Sequence, residues 1–83
     1  MHTLARIRDL AAKQFGGDPQ AIDPDAPVES LGADSIGYLE FLFELEDAFG
    51  ISIDQDEAKD IHTLRALCVL VDRLVEEKIP QES

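Results

Sequence analysis

Residues 31–50 read LGADSIGYLEFLFELEDAFG. The stretch opens Leu31-Gly32-Ala33-Asp34-Ser35-Ile36, in which a turn residue and a small residue lead into an acid and a serine. Helical periodicity then runs through Phe49, and Gly50 supplies the stop. On a wheel advancing about 100° per residue, Tyr38, Leu42, Leu45 and Phe49 fall together as the predicted core stripe. Ile36, Glu40, Phe43 and Asp47 fall nearly opposite, beside Ser35, and Leu39 lies between the two faces. Apolar residues opposite a core stripe are not required for folding. Beside carboxylates they suit docking, where charge steers and an apolar side chain anchors. The alternative is that Ile36 and Phe43 pack beneath the preceding loop. Gly37 is costly inside a helix, by about 1 kcal/mol relative to Ala, which points to close approach of a partner near Ser35.

On the N-terminal side, Leu4, Ile7, Ala11 and Phe15 recur about once per turn and predict a helix from Thr3 to Phe15. Thr3 is its expected N-cap, and Gly16-Gly17 its left-handed stop. Asp18 to Asp34 reads as a long loop, because Pro19, Pro24 and Pro27 oppose regular helix, although Pro19 can open a short turn. Ile22, Val28 and Leu31 are expected to pin that loop to the core. On the C-terminal side a short helix is predicted over Asp56 to Ile61. A last helix starts near Thr63 as N-cap, with Leu64, Leu67, Val71 and Leu74 inward, and ends before Pro80. Pro80 to Ser83 reads as a frayed tail. Ile51-Ser52-Ile53 alternates but is too short to make a sheet. The expectation is all-α: one domain over residues 1–83, a small four-helix bundle of three main helices and one short one.

The chain has 83 residues, enough for a modest core and little room for an enclosed catalytic cleft. Eighteen acidic residues face seven basic ones, a formal net charge of −11. Such a surface repels nucleic acid and anionic lipid, and it attracts partners with basic docking patches. Neither a membrane span nor a signal-peptide core is expected, which points to a cytoplasmic protein. The single cysteine, Cys68, excludes an internal disulfide and fits a reducing compartment.

Enzyme readings find little support. A serine nucleophile needs a positioned base, yet the histidines are His2 and His62, and no nucleophile elbow surrounds Ser35. Cys68 shares a helical face with Leu64, Val71 and Val75 and is expected to pack as a small buried hydrophobe. Asp54, Asp56 and Asp60 begin like a calcium loop, but Lys59 stands where that loop needs Gly, so no dedicated metal site is expected. As a lone pair, Asp34-Ser35 is an ordinary helix start, since both residue types favour the N-cap. The same position, at the positive end of the helix dipole, also suits an attached phosphate.

The stretch from Leu31 to Ser35, together with Glu40 and the run Leu45-Glu46-Asp47-Ala48-Phe49-Gly50-Ile51, resembles the signature of acyl carrier proteins. The loop, the short acidic third helix and the last helix follow in that family's order, so the resemblance spans nearly the whole chain. It implies that Ser35 bears 4′-phosphopantetheine, a flexible arm whose thiol holds acyl groups as thioesters. It further implies that a phosphopantetheinyl transferase attaches the arm. Acyl-loading enzymes, acyltransferases and synthases are then successive partners of a non-catalytic carrier, expected to be a monomer. Asp34, Ile36, Gly37, Leu39, Glu40, Phe43 and Asp47 become the partner-recognition residues. Two residues depart from the family pattern. Ile36 replaces the usual Leu, and Gly37 stands where fatty-acid carriers often have an acid. With Tyr38, Gly37 favours polyketide or mixed polyketide–peptide assembly over primary fatty-acid synthesis. An unmodified acidic interaction module is the alternative of a different class.

Overall fold

The computed structural model describes residues 3–78. Four α-helices follow one another: α1 (Thr3–Phe15), α2 (Ser35–Phe49), α3 (Gln55–Ala58) and α4 (Leu64–Lys78). Among the described residues there is no β-strand. The expected all-α bundle of three long helices and one short one is therefore the fold. The expected fraying of Pro80 to Ser83 lies outside the described residues.

α1 packs against both α2 and α4, and their apolar stripes meet along its length. Ile7 and Ala11 of α1, Phe41 and Leu45 of α2, and Leu64, Leu67 and Val71 of α4 are fully buried there. The inward face of α2 is wider than one stripe. Phe41 flanks the predicted line yet is buried, and its ring lies 5.5 Å from that of Phe15. Tyr38 and Phe49 are only half-buried. A helix touched from two sides buries an arc, not a line, and Phe41 fills the side toward α1. Thr3 is not a cap. It sits in the first turn of α1, buried, and its hydroxyl donates to Asp72 Oδ1 at 2.6 Å, tying α1 to α4.

Gly16 and Gly17 adopt φ of 91° and 99°, the left-handed region in which glycine costs least, and turn the chain out of α1. The following loop is more structured than a plain connector. Two 3-10 turns cover Pro19–Ala21 and Val28–Leu31, the first opened by Pro19 and capped by Asp18. Ile22 and Val28 are buried, as the pinning role requires, and Leu31 is half-buried. The loop is also stitched to the start of α4. Val28 N–H donates to His62 O at 2.7 Å, Arg65 N–H donates to Pro24 O at 2.9 Å, and the Arg65 side chain pairs with Asp25 at 2.6 Å.

α2 ends at Gly50 in a left-handed conformation, with Ile51 N–H returning to Glu46 O. Glu46 Oε2 then accepts from Ile53 N–H at 2.6 Å and fixes the exit. Arg6 donates to Ala48 O at 3.0 Å and lies 4.3 Å over the Phe49 ring, placing a cation at the negative end of α2. α3 is one turn, Gln55–Ala58, shorter and earlier than Asp56 to Ile61. Asp54 sets its start by accepting from Asp56 N–H, which commits one of the three clustered acids to a cap. Thr63 does cap α4, accepting from Ala66 N–H at 3.1 Å.

Candidate functional site

Gly32 (φ 91°) closes the second 3-10 turn, and Ala33 is buried against the core. The next two residues emerge at the surface. Asp34 is the N-cap of α2, and its Oδ1 accepts from Gly37 N–H at 2.7 Å. Ser35 is the first helical residue and is exposed. The two residue types that both favour caps are thus divided, with the carboxylate taking the cap and the hydroxyl left at the surface. Asp34 is committed to the backbone and not to the neighbouring hydroxyl. The arrangement presents an accessible acceptor oxygen for chemistry supplied from outside.

The outer face of α2 continues from Ser35. Ile36 and Phe43 are 69% and 53% exposed, so neither packs beneath the loop. Glu40 and Asp47 are exposed on the same side, and Leu39 is half-buried at its edge. Glu40 Oε1 accepts from Gln14 Nε2 at 3.2 Å, which brings the end of α1 to the border of this face. Gly37 stands apart from the face. A Cβ there would meet Asp34 Oδ1 at 3.1 Å and Phe15 Cε1 at 3.4 Å. The clearance it provides is for the cap and for α1, within the chain itself.

On the other side of Ser35 an open cleft of about 610 Å³ runs toward the start of α4. Val28, Ala33, Tyr38 and Ile61 supply its apolar surface, and Glu29, Asp34, Lys59 and His62 its polar one. Lys59 and His62 were not among the sequence candidates. No local pattern marks them, since they reach the cleft only because the segment after α3 folds back onto the loop before α2. Cys68 is half-buried, not buried. Its thiol is pushed above the usual range by burial and by neighbouring Asp72, 3.8 Å away, which disfavours a thiolate nucleophile.

Residues 5–71 match the family described as "Phosphopantetheine attachment site". The acyl carrier protein of Syntrophobacter fumaroxidans is 39% identical over 61 residues, covering 72% of this chain and 75% of its own length. Acyl carrier protein 1, chloroplastic, of Spinacia oleracea is 31% identical over 77 residues, 92% of this chain, which spans 56% of that relative's length. The crystal structure of an acyl carrier protein from Thermotoga maritima superposes with a TM-score of 0.76 at 27% identity. It covers 89% of this chain and 87% of its own. With the match running from α1 into α4 and the fold shared, the chain belongs to the acyl carrier protein family, whose cofactor is covalently attached 4′-phosphopantetheine.

Proposed function

We propose that the chain is an acyl carrier whose arm is attached at Ser35. The observation that carries this is the division of labour at the start of α2, where Asp34 caps the helix and leaves the Ser35 hydroxyl exposed. The residues fit the group. The positive end of a 15-residue helix favours the phosphodiester, and the open cleft beside Ser35 gives the arm a surface to lie along. When bound, the arm supplies a thiol that holds an acyl group as a thioester. On a separate phosphopantetheinyl transferase, Ser35 Oγ would give its proton to a base of that enzyme and form the new ester bond to phosphorus as the pyrophosphate bond of coenzyme A breaks and adenosine 3′,5′-bisphosphate leaves. The chain itself catalyses nothing. It confers tethering, and so a high effective concentration of cargo.

Acyl-loading enzymes, acyltransferases and synthases are the further partners, docking basic patches on Ile36, Leu39, Glu40, Phe43 and Asp47. Asp34 contributes charge at the edge of that face while capping α2. The carrier works as a cytoplasmic monomer. Among the described residues no helix is long and apolar enough to cross a membrane. Tyr38, whose polar tip faces the seam beside the arm, favours polyketide or mixed polyketide–peptide assembly.

Incubation with coenzyme A and a broad-specificity transferase tests the assignment. Intact mass is expected to rise by one phosphopantetheine in the native chain and not in Ser35→Ala. An unchanged native mass would leave an unmodified interaction module. A saturated fatty acyl group found on the natively produced protein would assign it to primary fatty-acid synthesis.

A further inference from the structure

The segment that leaves α3 is fixed from two sides. Tyr38, one turn after Ser35, places its hydroxyl 3.0 Å from Ile61 O and 3.2 Å from Ala58 O, which ties the segment to α2. His62 O accepts from Val28 N–H at 2.7 Å, which ties it to the loop before Ser35. Lys59 closes α3, its backbone N–H donating to Gln55 O, and His62 follows three residues later. The backbone beneath both side chains is therefore held at a set place relative to Ser35.

Lys59 and His62 are exposed and line the outer cleft together with Ser35. Lys59 and Ser35 also share the wall of a second, smaller cleft, so the two residues are neighbours. Cations are scarce in a chain with seven basic residues and a net charge of −11. The arginines of α4 are committed, Arg65 to Asp25 and Arg73 to Glu57 and Glu77. Among the described residues no carboxylate forms an ion pair with Lys59, although Glu29 and Asp34 line the same cleft. Asp34 Oδ1 is taken up by Gly37 N–H.

We infer that Lys59, with His62 beside it, is the counter-cation of the prosthetic arm: its ammonium pairs with the phosphodiester on Ser35 Oγ and holds the root of the arm at the outer cleft. This rests on Ser35 as the attachment residue. The phosphodiester is the part of the arm whose place the covalent bond fixes. The acyl end lies many bonds away, so this pairing selects no cargo. Attachment adds a negative charge beside Asp34, which is unfavourable unless a cation answers it. A lysine ammonium does so with a charge-assisted hydrogen bond, and a ring N–H of His62 can serve a second phosphate oxygen. An exposed pair between free groups is weak. Here the ester bond supplies a high effective concentration of the anion, so the pair forms without affinity for free phosphate.

The native chain, Lys59→Gln and Lys59→Arg, each loaded from coenzyme A by a broad-specificity transferase, test this. Intact mass is read first. A native chain that gains no mass overturns the attachment reading and this inference with it, whereas spectra of the loaded chains address Lys59 alone. In the loaded native chain the phosphorus-31 resonance is expected to be displaced from its position in the same chain unfolded in urea. The Lys59 side-chain methylene resonances are expected to move on loading. Lys59→Gln is expected to lose most of the phosphorus displacement, and Lys59→Arg, which keeps the charge, to retain it. Equal displacement in the native chain and Lys59→Gln would overturn the inference. So would Lys59 methylenes indifferent to loading, or a loss in Lys59→Arg as full as in Lys59→Gln.

Discussion

At the scale of single residues, the start of α2 sets the proposed attachment serine directly beside an ordinary helix cap. Because Asp34 holds the cap, Ser35→Ala is expected to abolish attachment while changing stability by less than about 0.5 kcal/mol. Asp34→Ala is expected to cost about 1 kcal/mol in denaturant melts. Gly37→Ala brings two opposed effects, a propensity gain of about 1 kcal/mol and pressure on the cap carboxylate only 3.1 Å from the new methyl. We expect them to nearly cancel, with the full gain appearing only when Asp34→Ala is already present, a coupling that a double-mutant cycle measures. Acyl transfer should be unaffected, since the methyl faces Asp34 and Phe15. Tyr38 is the sole tyrosine, so its ionisation can be followed by absorbance alone. Its folded value of about 12 lies above the ordinary 10, so the neutral phenol favours the folded state. That stability is complete below pH 10 and is lost as pH rises toward 12, a decline that Tyr38→Phe should lack. The helix start at Asp34 and Ser35 was legible because helix starts follow local rules. The role of Gly37 was not, because what a missing Cβ would strike depends on Phe15, from another helix.

At the scale of elements, α2 has two unlike faces. Its inner arc holds Phe41, Leu42 and Leu45 in the core, while Ile36 and Phe43 remain exposed among Glu40 and Asp47. Charge reversal at Glu40 or Asp47 is expected to slow transfer from partner enzymes, most strongly at low salt, where screening is weak. Phe43→Ala is expected to weaken docking by about 1 kcal/mol or more while leaving the denaturation midpoint nearly unchanged. Transfer rates unaltered in all three variants would rule this face out as the docking surface. The boundaries of α1, α2 and α4 were readable because each has a sustained 3.6-residue period and a glycine or threonine at an end. α3 was misjudged by a few residues, since one turn has no period to read and its start is set by Asp54. The 3-10 turn over Val28–Leu31 was hidden for a similar reason: contacts with the start of α4 hold this region, and no repeat in its own sequence announces it.

For the molecule as a whole, the basic residues are spent largely on holding the chain together. All four arginines engage their own chain: Arg6 at the end of α2, Arg8 on Pro19 O and Gln20 O, Arg65 on Asp25, and Arg73 on Glu57 and Glu77. The formal net charge is −11, and most acidic side chains of the described residues are exposed. Monovalent salt should act in opposite senses on folding and function, raising the thermal midpoint by damping self-repulsion while slowing encounter with basic partners. Composition made the sign of that field legible, but not its arrangement, because the partners of Arg65 and Arg73 lie 40 and 16 residues away in sequence. The stitching of the Pro24–Val28 segment to His62 and Arg65 bears on how the protein is made. A ribosome releases the chain N-terminus first, so Ser35 emerges well before the residues that hold its approach loop in place. The nascent chain thus exposes its serine before the loop and cleft around it exist. Assembly of that surface awaits translation of the last helix, so the cleft beside Ser35 exists only in chains that have completed their fold.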